Sequence, residues 1–168
     1  MNVIRLKIRL YGDACLRGKC EKVVQVESAE RMLIEAMLET MRVEKGIGLA
    51  APQVGVNRQL FVTNAGGGYM VFVNPKIIRR SGKAIMEEGC LSIPGVHIYV
   101  RRPEKIWVRF MDENNHIHER QYGDLMARVI QHETDHLHGK LIVDYASKHE
   151  LMEFKDVLRD LEASAKNE

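Results

Sequence analysis

Hydrophobic positions along this 168-residue chain change their period twice, from helical to alternating and back. From Ser28 to about Glu44, Met32 or Leu33, Ala36, Met37, Thr40 and Met41 recur at three- and four-residue spacing, which predicts a helix with one buried face. Ser28 stands where an N-cap belongs and Gly46 where a helix stops. The run Gly46-Ile47-Gly48-Leu49-Ala50-Ala51-Pro52-Gln53-Val54-Gly55 that follows excludes a regular helix, and its small side chains permit close backbone approach. Between residues 59 and 122 the chain reads as short strands: Leu60-Phe61-Val62-Thr63, Met70-Val71-Phe72-Val73, Lys76-Ile77-Ile78, Ala84-Ile85-Met86, Val96 to Val100, Ile106 to Met111 and His116 to Tyr122. Gly66-Gly67-Gly68 marks a flexible turn without the spacing of a phosphate-binding loop. Helical spacing returns from Asp124, read as an N-cap, to His138, with Gly139 as the stop. It appears again from Lys148 to about Ala163, where Leu151, Phe154, Leu158 and Leu161 share a face. Residues 1–26 show neither period and read as loop, with Tyr11-Gly12-Asp13 as a turn. Helix, many strands, helix is the order of an α+β domain with an antiparallel sheet.

Composition narrows the class. With 45% hydrophobic and 29% charged residues, the chain is a soluble globular protein rather than a disordered, collagenous or disulfide-stapled one. No apolar run approaches the ~18 residues of a membrane span, and the first residues interleave charge with apolar side chains, unlike a signal peptide. Three cysteines form no disulfide framework and fit a reducing compartment, so a cytoplasmic location is expected. The net charge of +2 gives no support to nucleic-acid binding; Arg79-Arg80 and Arg101-Arg102 read as solvated strand ends.

The chemistry concentrates in His132-Glu133-Thr134-Asp135-His136. Residues four apart share a helix face, so both imidazoles can reach one metal ion, with Glu133 beside them to act on a water. A catalytic site needs a third protein ligand. Position 142 is Ile, which excludes the extended motif ending in a third histidine; Glu150, Glu153 and Asp156 lie downstream, though helix amphipathicity accounts for them; Cys90 lies upstream, where a lone cysteine also reads as a small buried hydrophobe. His116 and His118 read as exposed residues of a hairpin, His138 as a cation suited to a helix C-terminus, and Cys15 and Cys20 as unligated.

Three blocks, Gly46-Ile47-Gly48-Leu49-Ala50-Ala51-Pro52-Gln53, Glu88-Gly89-Cys90-Leu91-Ser92 and Gln131-His132-Glu133-Thr134-Asp135-His136-Leu137, resemble peptide deformylase in order and spacing. Weaker similarity runs from Tyr11-Gly12-Asp13 to Leu141-Ile142-Val143-Asp144. The resemblance implies one catalytic domain over residues 1–168, with antiparallel and mixed sheets around the central motif-bearing helix, an N-terminal helix and a C-terminal amphipathic helix. It implies removal of the formyl group from the N-terminal formylmethionine of nascent chains, with release of formate. It makes Cys90 the third ligand, with His132 and His136, of one divalent ion: Fe(II) in the cell, and Zn, Ni or Co in purified protein. Glu133 becomes the general base and acid, and the Gln53 amide with the Leu91 backbone N–H becomes the oxyanion hole. Gly48 and Gly89 would offer backbone to an extended substrate, and Ile47, Met86, Leu125 and Val129 would line the methionine pocket. Asp135 reads equally as a support for the ligands and as a solvated helix carboxylate.

Two residues depart from the family pattern. Arg128, one turn before His132, is expected to snorkel at the pocket rim or narrow it, and His97 stands where relatives carry arginine. Lys148, Lys155, Arg159 and Lys166 on the last helix would allow weak docking near ribosomal RNA, although a solvated charged face is the plainer reading. Sequence-specific nucleic-acid binding and membrane partners are not expected. Two other readings stand beside the deformylase: an endoprotease with a third ligand after the motif, and a deformylase-like fold that binds without turnover.

Overall fold

The computed structural model describes residues 4–167. Helix α1 (Ser28–Val43) buries Ile34, Ala36, Met37, Thr40 and Met41, the face that the sequence spacing marks. Its cap is Glu27, not Ser28: the Glu30 carboxylate accepts the Glu27 N–H at 3.1 Å, and Ser28 is the first helical residue. At the other end the left-handed residue is Lys45 (φ 55°) rather than Gly46.

The strands follow as β1 (Gly48–Ala50), β2 (Leu60–Thr63), β3 (Met70–Ser81), β4 (Ala84–Glu88), β5 (Ile98–Arg102), β6 (Lys105–Met111) and β7 (Ile117–Gly123). Five of them form one sheet in the order β1-β2-β3-β6-β7, and β4 pairs with β5 in a separate ribbon. Every pair of these strands is antiparallel, which corrects the expectation of a mixed sheet; among the described residues parallel pairing is confined to an isolated bridge, Glu21 to Arg58. Val96 and His97 lie before β5 rather than in it.

Alternation along the strands gives the large sheet two apolar faces. Leu60, Val62, Val71, Val73 and Met111 pack with Ile34, Met37 and Met41 of α1. Phe61, Phe72, Ile106, Val108 and Phe110 pack with Ala127, Ile130 and Leu137 of α2 (Asp124–Leu137). Phe61 and Phe72 stack with ring centroids 4.7 Å apart. Helix α2 therefore lies against the sheet with one side and faces the β4–β5 ribbon with another. Its N-cap is Gly123; Asp124 is the first helical residue, at φ 50°, and makes no capping bond.

The C-terminal pattern is two helices rather than one. The chain breaks at Phe154 (φ −95°, ψ 8°), separating α3 (Lys148–Glu153) from α4 (Lys155–Lys166). Of the expected face Leu158 is buried, Phe154 and Leu161 are partly buried, and Leu151 is exposed. The N-terminal segment is more ordered than a loop: Ala14–Arg17 forms a 3-10 turn whose Cys15 N–H is accepted by Asp13 at 2.9 Å. Gly12 precedes it at φ 101°, and a Cβ there would come within 2.8 Å of the Glu162 backbone, so the turn and α4 need this glycine to meet. Among the described residues no helix is long and apolar enough to cross a membrane.

Leu158 is the one buried anchor of α4 in a core shared with Leu16, Ile93 and Ile98. Leu158→Ala is expected to cost about 2–3 kcal/mol. Hydrogen exchange should then rise across residues 155–166 while β2, β3 and β6 keep their protection; uniform loss of protection would contradict this local anchoring.

Candidate active site

Helix α2 carries His132, Glu133 and His136 on a stretch, residues 127–137, in which every side chain but His132 and Asp135 is buried. Glu133 and His136 have 4% and 1% of their surface exposed. Cys90 follows β4 through Gly89, and its Sγ lies 3.3 Å from His136 Nε2. The ligand atoms of Cys90, His132 and His136 all fall within 4.8 Å of one another, a group able to hold one metal ion. Glu150, Glu153 and Asp156 stand outside it. Glu150 instead caps α3 through Ser147 and accepts the Tyr99 N–H at 3.2 Å, and Asp156 pairs with Arg159.

Glu88 organises the surroundings of this group. Its carboxylate, 7% exposed, accepts from Arg102 Nε at 2.6 Å and Nη2 at 2.9 Å, from Arg128 Nη1 at 2.7 Å, and from His132 Nδ1 at 3.0 Å. Burial works against the charge, but the bonds from His132 and Arg102 overcome it and hold the Glu88 pKa down to about 2. An ionised carboxylate only accepts, so the His132 proton sits on Nδ1 and the Nε2 lone pair is left for a metal. Arg102 also donates to Asp135 at 2.8 Å, and the Tyr145 hydroxyl donates to the same oxygen at 2.7 Å. Asp135 is thus a support, not a free surface carboxylate. Arg102 is buried, which corrects its reading as a solvated strand end.

Of the two expectations for Arg128, snorkelling is corrected, while narrowing of the pocket is not, since Arg128 is among its lining residues. It neither snorkels nor stands free at a rim: it is 5% exposed, and besides Glu88 it donates to the carbonyls of Val100 at 3.0 Å and Ala84 at 2.9 Å. The guanidinium clamps the β4–β5 ribbon to α2, a bidentate task that suits arginine's planar fork.

Gln53 is buried at the end of the 3-10 turn Ala51–Val54. Its Oε1 accepts the Ala50 N–H at 2.9 Å, which fixes the amide so that Nε2 points to Ser92 Oγ at 3.2 Å and Cys90 Sγ at 3.5 Å. Burial and the nearby Glu88 push the Glu133 carboxyl up to about 7 against the pull of His132. Glu133 Oε2 is buried without a hydrogen-bond partner, which suits a group that works on a ligand of this site; His136 Nδ1, the ring nitrogen other than the one beside Cys90, is also unpartnered. Gly48 leaves room for this carboxylate: a Cβ there would collide with Glu133 and stand 2.9 Å from Val129 Cγ1.

These residues open on a cleft of about 900 Å³ lined by Ile47, Met86, Gly89, Leu91, His97, Leu125, Arg128 and Val129, among others. Ile47, Met86 and Leu125 are each 45–46% exposed, unusual for large apolar side chains and gathered at one opening. Cys15 and Cys20 lie apart from the metal-capable group, and burial with the neighbouring Asp13 pushes the Cys15 thiol up to about 12, which leaves it inert. His118 bonds Asp112 at 2.6 Å, and His138 bonds the Thr134 carbonyl at 2.8 Å.

The family model for polypeptide deformylase matches residues 5–152. The chain belongs to the peptide deformylase family. It is 45% identical to the peptide deformylase of Clostridium botulinum, over 84% of this chain and 96% of that one. A crystallised peptide deformylase of Plasmodium falciparum superposes with a TM-score of 0.91 at 32% identity, covering 96% and 98% of the two chains. One from Synechococcus elongatus, solved in complex with actinonin, gives 0.87 at 40% identity and 93% coverage of each. The chain is therefore an enzyme of the deformylase type with the deformylase α+β fold.

Sequence reasoning gave no part to Glu88, Arg102, Ser92 or Tyr145 in this deformylase site. Glu88 and Ser92 sit inside a matched block, which was the available signal; Arg102 and Tyr145 join only through contacts distant in sequence. Glu88→Gln would leave Arg102 and Arg128 as underpaired buried cations, with an expected loss of about 3–5 kcal/mol in chemical denaturation. Because folding depresses the Glu88 pKa, its contribution is complete above the ordinary carboxylate range and is withdrawn as pH falls toward about 2. The variant should lack that acid-range slope; an unchanged slope would assign it to other carboxylates.

Proposed function

We propose that the chain removes the formyl group from N-formylmethionyl nascent peptides, using one divalent ion held by Cys90, His132 and His136. The observation that carries the reading is Glu133 Oε2, a buried carboxylate oxygen without a partner beside the Cys–His–His group and the apolar cleft. One thiolate and two imidazoles suit Fe(II), the ion expected in the cell, and also Zn, Ni or Co. Bound there, such an ion acidifies a water and polarises a carbonyl.

The chain's own groups do the rest. Glu133, with its carboxyl near neutrality, takes a proton from the attacking water. The water oxygen bonds to the formyl carbon, and the negative charge that develops on the formyl oxygen is met by Gln53 Nε2 and the Leu91 backbone N–H. The C–N bond breaks, Glu133 returns the proton to the amine, and formate departs. Ile47, Met86, Leu125 and Val129 receive the methionine side chain, while the backbone at Gly48 and Gly89 flanks the extended peptide. His97, exposed on the same cleft, is available to the peptide backbone. The work takes place in the cytoplasm, on a single domain.

Formate release from formyl-Met-Ala-Ser by anaerobically prepared Fe(II) protein tests the reading directly. Glu133→Ala should keep its metal and lose at least about 10²-fold in kcat; near-normal turnover would remove Glu133 from the mechanism. Cys90→Ser should lose metal on gel filtration in dilute chelator, whereas Glu150→Ala, Glu153→Ala and Asp156→Ala should retain it. A cobalt protein that keeps its thiolate charge-transfer band after Cys90→Ser would exclude Cys90 as ligand, and endoproteolysis with formyl peptides untouched would favour the protease.

A further inference from the structure

The face of the large sheet that α1 covers is covered only in part. Val71, Val73 and Met111 lie under α1, whereas toward the Lys105 end of β6 the same face of β3 and β6 carries exposed and half-buried side chains. Cross-strand register there sets Lys76 opposite Arg109, Arg79 opposite Trp107, and Ser81 opposite Lys105. On the other side of β6, Glu119, Gln121 and Gly123 complete the patch. Lys76, Arg79, Lys105 and Arg109 are exposed, and Trp107 is half-buried with the Arg79 guanidinium 4.5 Å from its ring centroid.

This arrangement does not serve folding. Like charges directly opposite one another on a sheet are destabilising, yet Lys76 and Arg109 face each other. Among the described residues none of these four cations has an ion-pair partner, although exposed arginines elsewhere do: Arg17 with Asp144, Arg42 with Glu39, and Arg159 with Asp156. Glu119, opposite Arg109 on the β7 side, is the carboxylate within the patch, and Glu104 stands at its end beside Gly82. The positive field continues past the patch, where Lys22 joins Lys76 and Arg109 around a recess that no acidic residue lines.

We propose that this surface binds single-stranded RNA without sequence preference, separately from the deformylase site and irrespective of its chemistry. Lys105, Trp107 and Arg109 follow one another at about 6.8 Å along β6, a spacing on which an extended strand can set a phosphate, a base and a phosphate. Trp107 with the Arg79 guanidinium over its ring forms a layered platform on which an unpaired base can stack but which cannot enter a duplex groove, and Gln121 and Ser81 offer polar groups to ribose 2′-hydroxyls. An anionic membrane would want large apolar anchors protruding among the cations; Trp107 is half-buried, and the exposed Ile117 stands at the far end of the face, opposite Met111. Helix α4 is the poorer candidate, because its Arg159 is already countered by Asp156 and Asp160.

Trp107 is the only tryptophan in the chain, so its fluorescence reports directly on the patch. Titration of the full-length protein with a short oligouridylate should quench it. Four phosphate contacts on a single strand predict that log K falls with log salt at a slope of about −3. Lys76→Ala with Arg109→Ala should weaken binding at least about tenfold and flatten the slope by about 1.4. Thermal stability should stay unchanged or rise, and formate release from formyl-Met-Ala-Ser should be untouched. Lys155→Ala with Lys166→Ala should bind as the unaltered protein does. Absence of quenching, undiminished affinity of the Lys76/Arg109 variant, or equal affinity for polyglutamate, anionic vesicles or single-stranded DNA would each overturn the proposal.

Discussion

A buried carboxylate is tolerable only where its charge is answered on the spot. Glu88 is answered three times, by Arg102 from the same ribbon and by Arg128 and His132 from α2. Among the described residues the β4–β5 ribbon has no strand pairing with the large sheet. Its hold on α2 runs through these bonds and through Arg128's grip on the Ala84 and Val100 carbonyls. Since Cys90 lies two residues beyond Glu88, the same contacts fix how far the thiol stands from the two imidazoles. Buried ion clusters contribute little net stability compared with a well-packed apolar core, and the more fitting view of this one is as a device for register. It allows one arrangement of ribbon against helix and holds the His132 ring and its tautomer in place.

The parts legible in the sequence were those whose information is local. A four-residue histidine spacing on a helix, alternating strands and a helical stripe in α1 each depend on neighbours within a turn or two, and each is where the pattern puts it. The break at Phe154 was not legible, because the apolar spacing of Leu151, Phe154, Leu158 and Leu161 is the same for one helix as for two. Arg102 and Arg128 were misread for a different reason. A charged residue looks solvated until its partner is known, and these partners, Glu88 for both and Asp135 for Arg102, lie on other segments of the chain. The cationic sheet face was hidden likewise: Arg79 is one of a pair of arginines in sequence, but only the register of β3 with β6 puts it over Trp107 and sets Lys76 against Arg109.

The two apolar faces of the sheet divide the molecule's tasks. The aromatic face, Phe61, Phe72 and Phe110, supports α2 and so gives His132 and His136 a rigid base. The aliphatic face under α1 supports β1 and the 3-10 turn after it, from which Gln53 reaches the cleft. Gly48 sits between them, where the backbone of β1 passes the Glu133 carboxylate too closely for any side chain.

The Cys–His–His group joins two places that are distant along the chain, the end of β4 and the middle of α2, with β5, β6 and β7 between them. An ion held by all three side chains would tie that span into a loop, much as a disulfide does, and would withdraw from the unfolded ensemble the conformations in which the two ends wander apart. Binding and folding would then be one equilibrium: the melting temperature would climb with the free-ion concentration, and a chelator would act as a denaturant.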